Sequence, residues 1–267
     1  MSDFERETRL EAAGQDVFTG VVHPAWNIGE NPNGGYLLSL AVAAMQRAAP
    51  SHPDPLSVTA HFLRPGLAGQ PFEVAVQVLR QGRSLNTVRA TLSQDGKPRL
   101  EVLAALGDLG AVRPSTLSLP MPEMPPPEAC VSRSGGEQGL GLPILDRLDI
   151  RLHPDDARAG AAGKAQVRGW IRFHDGSPPG TLPSLLFADA FPPAVFGLLG
   201  MVGWVPTIEL TVHLRRRPEP GWMLGRFQSQ DLADGRLIED GALWDSAGNL
   251  IVQCRQLALV RQGSQES

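Results

Sequence analysis

Between residues 72 and 79 the chain reads FEVAVQVL, so that Phe72, Val74, Val76 and Val78 fall on one side of a two-residue period. That alternation predicts a half-buried strand. Weaker forms of the pattern predict strands over 56–64, 85–92 and 99–106. The segments between them, Arg64-Pro65-Gly66, Gln81-Gly82-Arg83 and Gln94-Asp95-Gly96-Lys97, carry turn chemistry, so successive strands are expected to be antiparallel. Ahead of the strands Gly34-Gly35 opens a run of Leu and Ala over 36–49 with no internal proline, closed by Pro50, and this predicts a helix.

The same succession returns later in the chain. His61 and Arg64 in HFLR are matched by His213 and Arg216 in HLRR, each 152 residues on. Gly96 maps to Gly248 at the same offset, and Gly82-Arg83 to Gly235-Arg236 with one residue more. A shared offset across separate markers predicts two related halves. The second half is expected to hold strands over 165–173, 207–214, 222–228, 237–244 and 250–260, with a helix within 182–199. Between the halves, residues 113–141 are rich in Pro, Ser and Gly and read as a linker. The expected division is therefore 1–112, linker, and 142–267.

Composition narrows the class. The 29 glycines and 24 prolines, about a fifth of 267 residues, argue against a helical bundle. A net charge of −4 lacks the basic footprint of a generic nucleic-acid binder. Cys130 and Cys254 alone build neither a disulfide framework nor a thiolate metal site. The first ten residues, MSDFERETRL, hold five charged side chains and no apolar stretch for a signal peptide, so a cytoplasmic location is expected. Residues 190–208 are uncharged and mostly apolar, but Pro192, Pro193 and Pro206 with three glycines predict a buried helix and a turn rather than a membrane span.

No nucleophile elbow, zincin motif or phosphate-binding loop is present, and the six histidines lack metal-ligand spacing. No metal or cofactor is called for. Asp189 is the only charged residue between Asp175 and Glu209 and lies inside LLFADAF. Apolar surroundings raise a carboxyl pKa and make Asp189 either a general base or a carboxylate capping a helix end. Pro192-Pro193 shortly after it predict that it stands at a helix break. Gln256 shares a strand face with Leu250, Val252, Cys254, Ala258 and Val260, so its amide either orients something in a site or ties down backbone. Thr207 falls by period on the face of Glu209, Thr211 and His213, where nothing sets it apart. Gly34 and Gly35 offer helix-start amides that suit a developing oxyanion or a thioester carbonyl, although glycine pairs also open helices without such a purpose. His61 and His213 occupy matching strand positions. Arg215-Arg216-Arg217 reads as a phosphate contact or a solvated face.

Taken in order, NGGYLLSLAVAA at 33–44, LSVTAHFLRPG at 56–66, LRQGRSLNTVRATLSQDGKP at 79–98, GWIRFHDGSPPGTL at 169–182, FADA at 187–190, PTIELTVHLRR at 206–216 and LWDSAGNLIVQCRQLAL at 243–259 resemble the type II acyl-CoA thioesterases (TesB-like). The resemblance implies an α+β double hotdog, two units each with an antiparallel sheet wrapped around a central helix. It implies hydrolysis of an acyl-CoA substrate by a water that an Asp, a Thr and a Gln hold, and by motif position these are Asp189, Thr207 and Gln256. It also implies a homodimer or higher homo-oligomer. Two readings compete with it: a non-catalytic acyl or acyl-CoA binding protein, and a hotdog enoyl-CoA hydratase or dehydratase, whose chemistry uses an Asp and His pair.

Overall fold

The computed structural model describes residues 1–110, 115–135 and 141–260, so the tail after residue 260 and parts of the expected linker lie outside the described residues. A short helix, α1 (Asp3–Glu7), precedes the hairpin β1 (Glu11–Gly14) and β2 (Val17–Val21). The two-residue strands β3 (Asn27–Ile28) and β4 (Asn31–Pro32) lead into helix α2 (Gly34–Ala48), and four longer strands follow: β5 (Asp54–Phe62), β6 (Pro71–Gln81), β7 (Asn86–Gln94) and β8 (Lys97–Gly107). The second half begins with β9 (Val131–Ser132), β10 (Leu148–Leu152) and β11 (Gln166–Phe173), then has the helices α3 (Thr181–Phe187) and α4 (Phe196–Leu199). It closes with β12 (Thr207–Leu214), β13 (Met223–Ala233), β14 (Arg236–Trp244) and β15 (Leu250–Leu259).

Thirteen strands form one antiparallel sheet in the order β1-β2-β6-β7-β8-β5-β12-β15-β14-β13-β11-β10-β9, and β3 pairs with β4 separately. Its two halves meet where β5 pairs with β12, Thr59 standing opposite Thr211 and His61 opposite Glu209. The hydroxyls of Thr59 and Thr211 are 3.0 Å apart, and these positions differ by the 152 residues of the sequence repeat. The internal pseudo-symmetry therefore passes between them. Gly82 and Gly235 sit in the equivalent β6–β7 and β13–β14 connections, and Gly96 and Gly248 in β7–β8 and β14–β15. Asp95-Gly96 joins its strands with both φ angles positive, 51° and 66°, the two-residue turn whose twist matches an antiparallel pair.

Helix α2 is apolar on nearly every side, with Tyr36, Leu37, Leu38, Leu40, Ala41, Val42, Ala44 and Met45 all buried, as befits a helix enclosed by a sheet rather than laid on one. It packs against β5, β6, β7 and β8 and against α3 of the other half. One continuous apolar core draws on both halves. The single helix expected within 182–199 is two short helices, because Pro192 and Pro193 cannot continue the hydrogen-bond ladder from α3. No helix among the described residues is long and apolar enough to cross a membrane. The described part of 113–141 contributes β9 and lies along the second half, where Trp170 and Trp244 donate their indole N–H to Pro125 and Leu119 carbonyls at 2.8 and 3.0 Å.

Sequence periodicity did not announce α1, β1, β2 or β10, each of five residues or fewer. Yet α1 ties the halves together. The Glu7 carboxylate, its side chain 4% exposed, accepts from Arg147 at 2.8 and 3.1 Å and from the Trp26 indole at 2.9 Å. Burial opposes ionisation, but the Arg147 and Arg6 guanidiniums hold the Glu7 pKa below its usual value. The stability it contributes is then present above the ordinary glutamate range and is lost as pH falls through the depressed value. Glu7→Gln turns an amide N–H toward these donors, so chemical unfolding at neutral pH is expected to show a loss of about 1–3 kcal/mol. That loss should shrink in acid.

Candidate active site

Helix α3 ends at Phe187, and Asp189 lies in the turn that follows, its N–H bonded to the Leu186 carbonyl at 3.1 Å. The expected helix break is there. Phe191 anchors the outgoing chain, its ring 5.0 Å from that of Phe227. The turn directs the Asp189 carboxylate at the start of α2. Gly35 donates its N–H to Oδ2 at 2.8 Å, and the Asn33 side chain donates to Oδ2 at 3.0 Å and to the Asp189 carbonyl at 2.8 Å. Asn33 is at the same time the N-cap of α2, accepting from the Tyr36 N–H at 2.9 Å. An Asn directly before Gly-Gly at a helix start is the signal that could have marked it.

Burial raises the Asp189 pKa from 3.8 to about 6, a shift that the donors Gly35, Asn33 and Gly34 partly offset. The carboxylate is thus poised between a weak acid and a usable base at neutral pH. The Gly35 and Asn33 bonds to this carboxylate both fall on Oδ2. Oδ1 is left for a further donor.

At the start of α2 the amides of Gly34 and Gly35 lie against the Asp189 carboxylate. The Gly35 amide is taken by Asp189, and that of Gly34 also supports the same carboxylate. Both glycines permit a close approach. A Cβ on Gly35 would lie 2.7 Å from the Leu185 carbonyl oxygen, and one on Gly34 would lie 2.8 Å from the Phe62 ring.

Thr207 and Gln256 are brought together, although period two along β12 groups Thr207 with Glu209, Thr211 and His213. The β12–β15 register shifts between Thr207 and Glu209, so Thr207 stands opposite Ala258 while Glu209 stands opposite Leu257. This one-residue bulge turns Thr207 to the inner face, which Ala258 shares with Gln256. The Thr207 hydroxyl donates to Gln256 Oε1 at 2.9 Å. Gln256 Nε2 in turn donates to Glu239 Oε1 at 2.7 Å, Glu239 being its cross-strand partner on β14.

Glu239 was not anticipated. It alternates with Leu237, Gly241 and Leu243 on the inner face of β14, the same break in an apolar face that drew attention to Gln256. Its side chain also accepts from the Ala194 N–H at 2.7 Å and the Ser229 hydroxyl at 3.4 Å. Burial is the main reason that its pKa rises to about 7, and the nearby Asp189 charge adds to the shift. Asp189 makes no direct hydrogen bond to Thr207 or Gln256 among the described residues, but it lies within electrostatic reach of the line Thr207–Gln256–Glu239. Burial, with both carboxylates adding to it, pushes the Cys254 thiol well above its usual range.

Other sequence candidates lie elsewhere. Arg217 pairs with Asp54 at 2.8 Å and Arg216 donates to Asn249 at 2.8 Å, so two of the three arginines have structural partners. His61 and His213 are exposed on the outer face. No cluster of side chains among the described residues could hold a metal ion.

Residues 22–110 match the family described as acyl-CoA thioesterase N-terminal domain, and residues 122–260 its C-terminal domain. A crystal structure from Thermobifida fusca assigned as a thioesterase II is 32% identical, covers 98% of both chains and superposes with a TM-score of 0.87. A conserved hot dog fold protein of unknown function from Alicyclobacillus acidocaldarius gives a TM-score of 0.84 at 23% identity, covering 98% of this chain and 99% of its own. An uncharacterized protein of Mycobacterium tuberculosis is 28% identical over 91% of both chains. The fold is a double hotdog of the α+β class, and with both halves of the family matched in order, the chain belongs to the acyl-CoA thioesterase family.

Proposed function

We propose that this chain hydrolyses an acyl-CoA thioester to free acid and CoA through a water held by Asp189, Thr207 and Gln256. The observation that carries the reading is the half-buried Asp189 carboxylate, fixed through Oδ2 by the start of α2 and within electrostatic reach of Glu239, where the line from Thr207 through Gln256 ends. Asp189 Oδ1 takes one hydrogen of the water. Thr207, whose own hydrogen is committed to Gln256, accepts the other. The second Nε2 hydrogen of Gln256 is left to donate to the water oxygen, and the remaining lone pair attacks the thioester carbon. Asp189 receives the proton as the water adds and returns it to the departing CoA thiolate. Gly34 and Gly35 serve the base in this scheme, not the oxyanion. The resemblance further supports action as a homodimer.

The binding-protein reading needs no such set of half-buried polar groups. A hydratase would need a histidine beside the aspartate, and none among the described residues hydrogen-bonds to Asp189.

Release of CoA thiol from short, medium, long and aromatic acyl-CoAs tests the proposal. Gln256→Ala removes one holder of the water and leaves Glu239 without that donor, and it is expected to lower kcat about 10- to 1,000-fold. The rate should fall as pH drops below about 6, where Asp189 takes up a proton. Absence of hydrolysis on every substrate, with thermal stabilisation by acyl-CoA, would leave the binding reading.

A further inference from the structure

We infer that Glu239, acting through the Gln256 amide, sets the direction in which hydrogen bonds run along the Thr207 line, and so is a positioning residue for the hydrolysis. This inference rests on the thioesterase reading above. Glu239 Oε2 accepts from the Ala194 main-chain N–H at 2.7 Å, a group that can only donate. An ionised carboxylate only accepts. Gln256 must therefore present its NH2 to Glu239 Oε1 and its carbonyl to Thr207. The Thr207 hydroxyl has one hydrogen, spends it on Gln256, and keeps only lone pairs for a third party. A water between Asp189 Oδ1 and Thr207 then gives up both hydrogens and turns a lone pair outward.

Protonation of Glu239 reverses this. Because the Ala194 N–H holds Oε2 as an acceptor, the proton resides on Oε1, facing Gln256. A carboxylic acid there donates to an amide carbonyl, so the Gln256 amide turns over and offers its NH2 to Thr207. Thr207 then donates to the water instead of accepting from it, so the water's second hydrogen loses its acceptor and its lone pair is no longer fixed toward the thioester. The groups that face Glu239 are the Asp189 carboxylate from the turn after α3, the Cys254 thiol from β15 and the Ser229 hydroxyl from β13. Asp240, next on the same strand, is paired with Arg255 at 3.5 Å and partly exposed.

The pH dependence of kcat/KM tests this. If both Asp189 and Glu239 must be ionised, the acid limb of log kcat/KM steepens to a slope of about two, whereas Asp189 alone gives about one. Glu239→Gln cannot satisfy Ala194 and Gln256 together in the native sense, and kcat is expected to fall about tenfold with KM within about twofold. Its acid limb should have a slope of about one. A purely structural role would leave the slope unchanged.

A slope of about one in the unsubstituted protein overturns the inference even if the variant does not fold. A folded Glu239→Gln with native kcat and slope does the same. Independently of turnover, the side-chain amide resonances of Gln256, assigned by their loss in Gln256→Ala, should shift with pH in the native protein and not in Glu239→Gln. Resonances that stay fixed across the titration overturn the inference. Titrating resonances in a protein that hydrolyses no acyl-CoA would uphold the orientation by Glu239 while removing the thioesterase reading.

Discussion

Asp189→Asn is expected to lower kcat for acyl-CoA hydrolysis by roughly 10²- to 10⁴-fold, the usual contribution of a positioned general base. The substitution is nearly isosteric. An Asn carbonyl oxygen can still accept from the Gly35 amide and from Asn33, so the turn after α3 should keep its place. What is lost is a group able to take a proton from water. Stability should not fall with activity. The folded pKa of Asp189 lies at about 6, above its ordinary 3.8, so the stability linked to its protonated form is fully present below 3.8 and is lost as pH rises through about 6. Asn never ionises and escapes that loss. Thermal unfolding above pH 7 should therefore give a Tm equal to or higher than that of the native protein, and the two should converge near pH 4. Unchanged turnover in a folded variant would remove Asp189 from the chemistry. A large fall in Tm at neutral pH would mean that the ionised carboxylate is structurally favourable in place.

Gly35→Ala is expected to have the largest combined effect on stability and activity. The added Cβ would stand 2.7 Å from the Leu185 carbonyl oxygen and 2.9 Å from both the Leu186 Cα and the Asp189 Cβ. Two of these obstacles are backbone and cannot swing aside, so α2 and α3 must separate. Overpacking of this kind costs about 1–3 kcal/mol, readable as a lower denaturant midpoint. The separation also draws the Gly35 amide away from Asp189, a bond of 2.8 Å. Because misplacement by about 1 Å can cost on the order of 100-fold in rate, a 10- to 100-fold lower kcat is expected. Gly34→Ala supplies the contrast. Its Cβ meets the Phe62 ring at 2.8 Å and Asp189 Oδ2 at 3.0 Å, which are side-chain atoms with room to adjust. A smaller loss of stability should follow. Equal stability of Gly35→Ala and the native protein would show that the two helices tolerate a wider spacing.

Legibility in the sequence differed between elements for identifiable reasons. Strand β6 was readable because Phe72, Val74 and Val76 are buried and the residues between them exposed, the condition under which period two survives in the sequence. Helix α2 was readable from composition and its closing proline, since an enclosed helix carries no polar stripe to give a phase. Strands β1 and β10 were not, because four or five residues contain too few periods to stand above chance.

The site divides in the same way. The shared 152-residue offset of separate markers pointed to two like units, and local composition determined that Asp189 and Gln256 are polar groups in apolar settings, with Asp189 at a helix break. Those properties depend on neighbours in sequence. The tertiary structure alone decided the rest. The bulge between Thr207 and Glu209 placed Thr207 with Gln256, and a bulge arises from how two strands register, not from either strand alone. The amides of Gly34 and Gly35 went to Asp189 because α2 and α3, more than 130 residues apart, pack closely enough for a side chain of one half to cap the helix of the other. Glu239 joined the site because Ala194, Gln256 and Ser229 supply donors from three separate segments. A buried charge is tolerated where such donors converge, and convergence is a property of the fold.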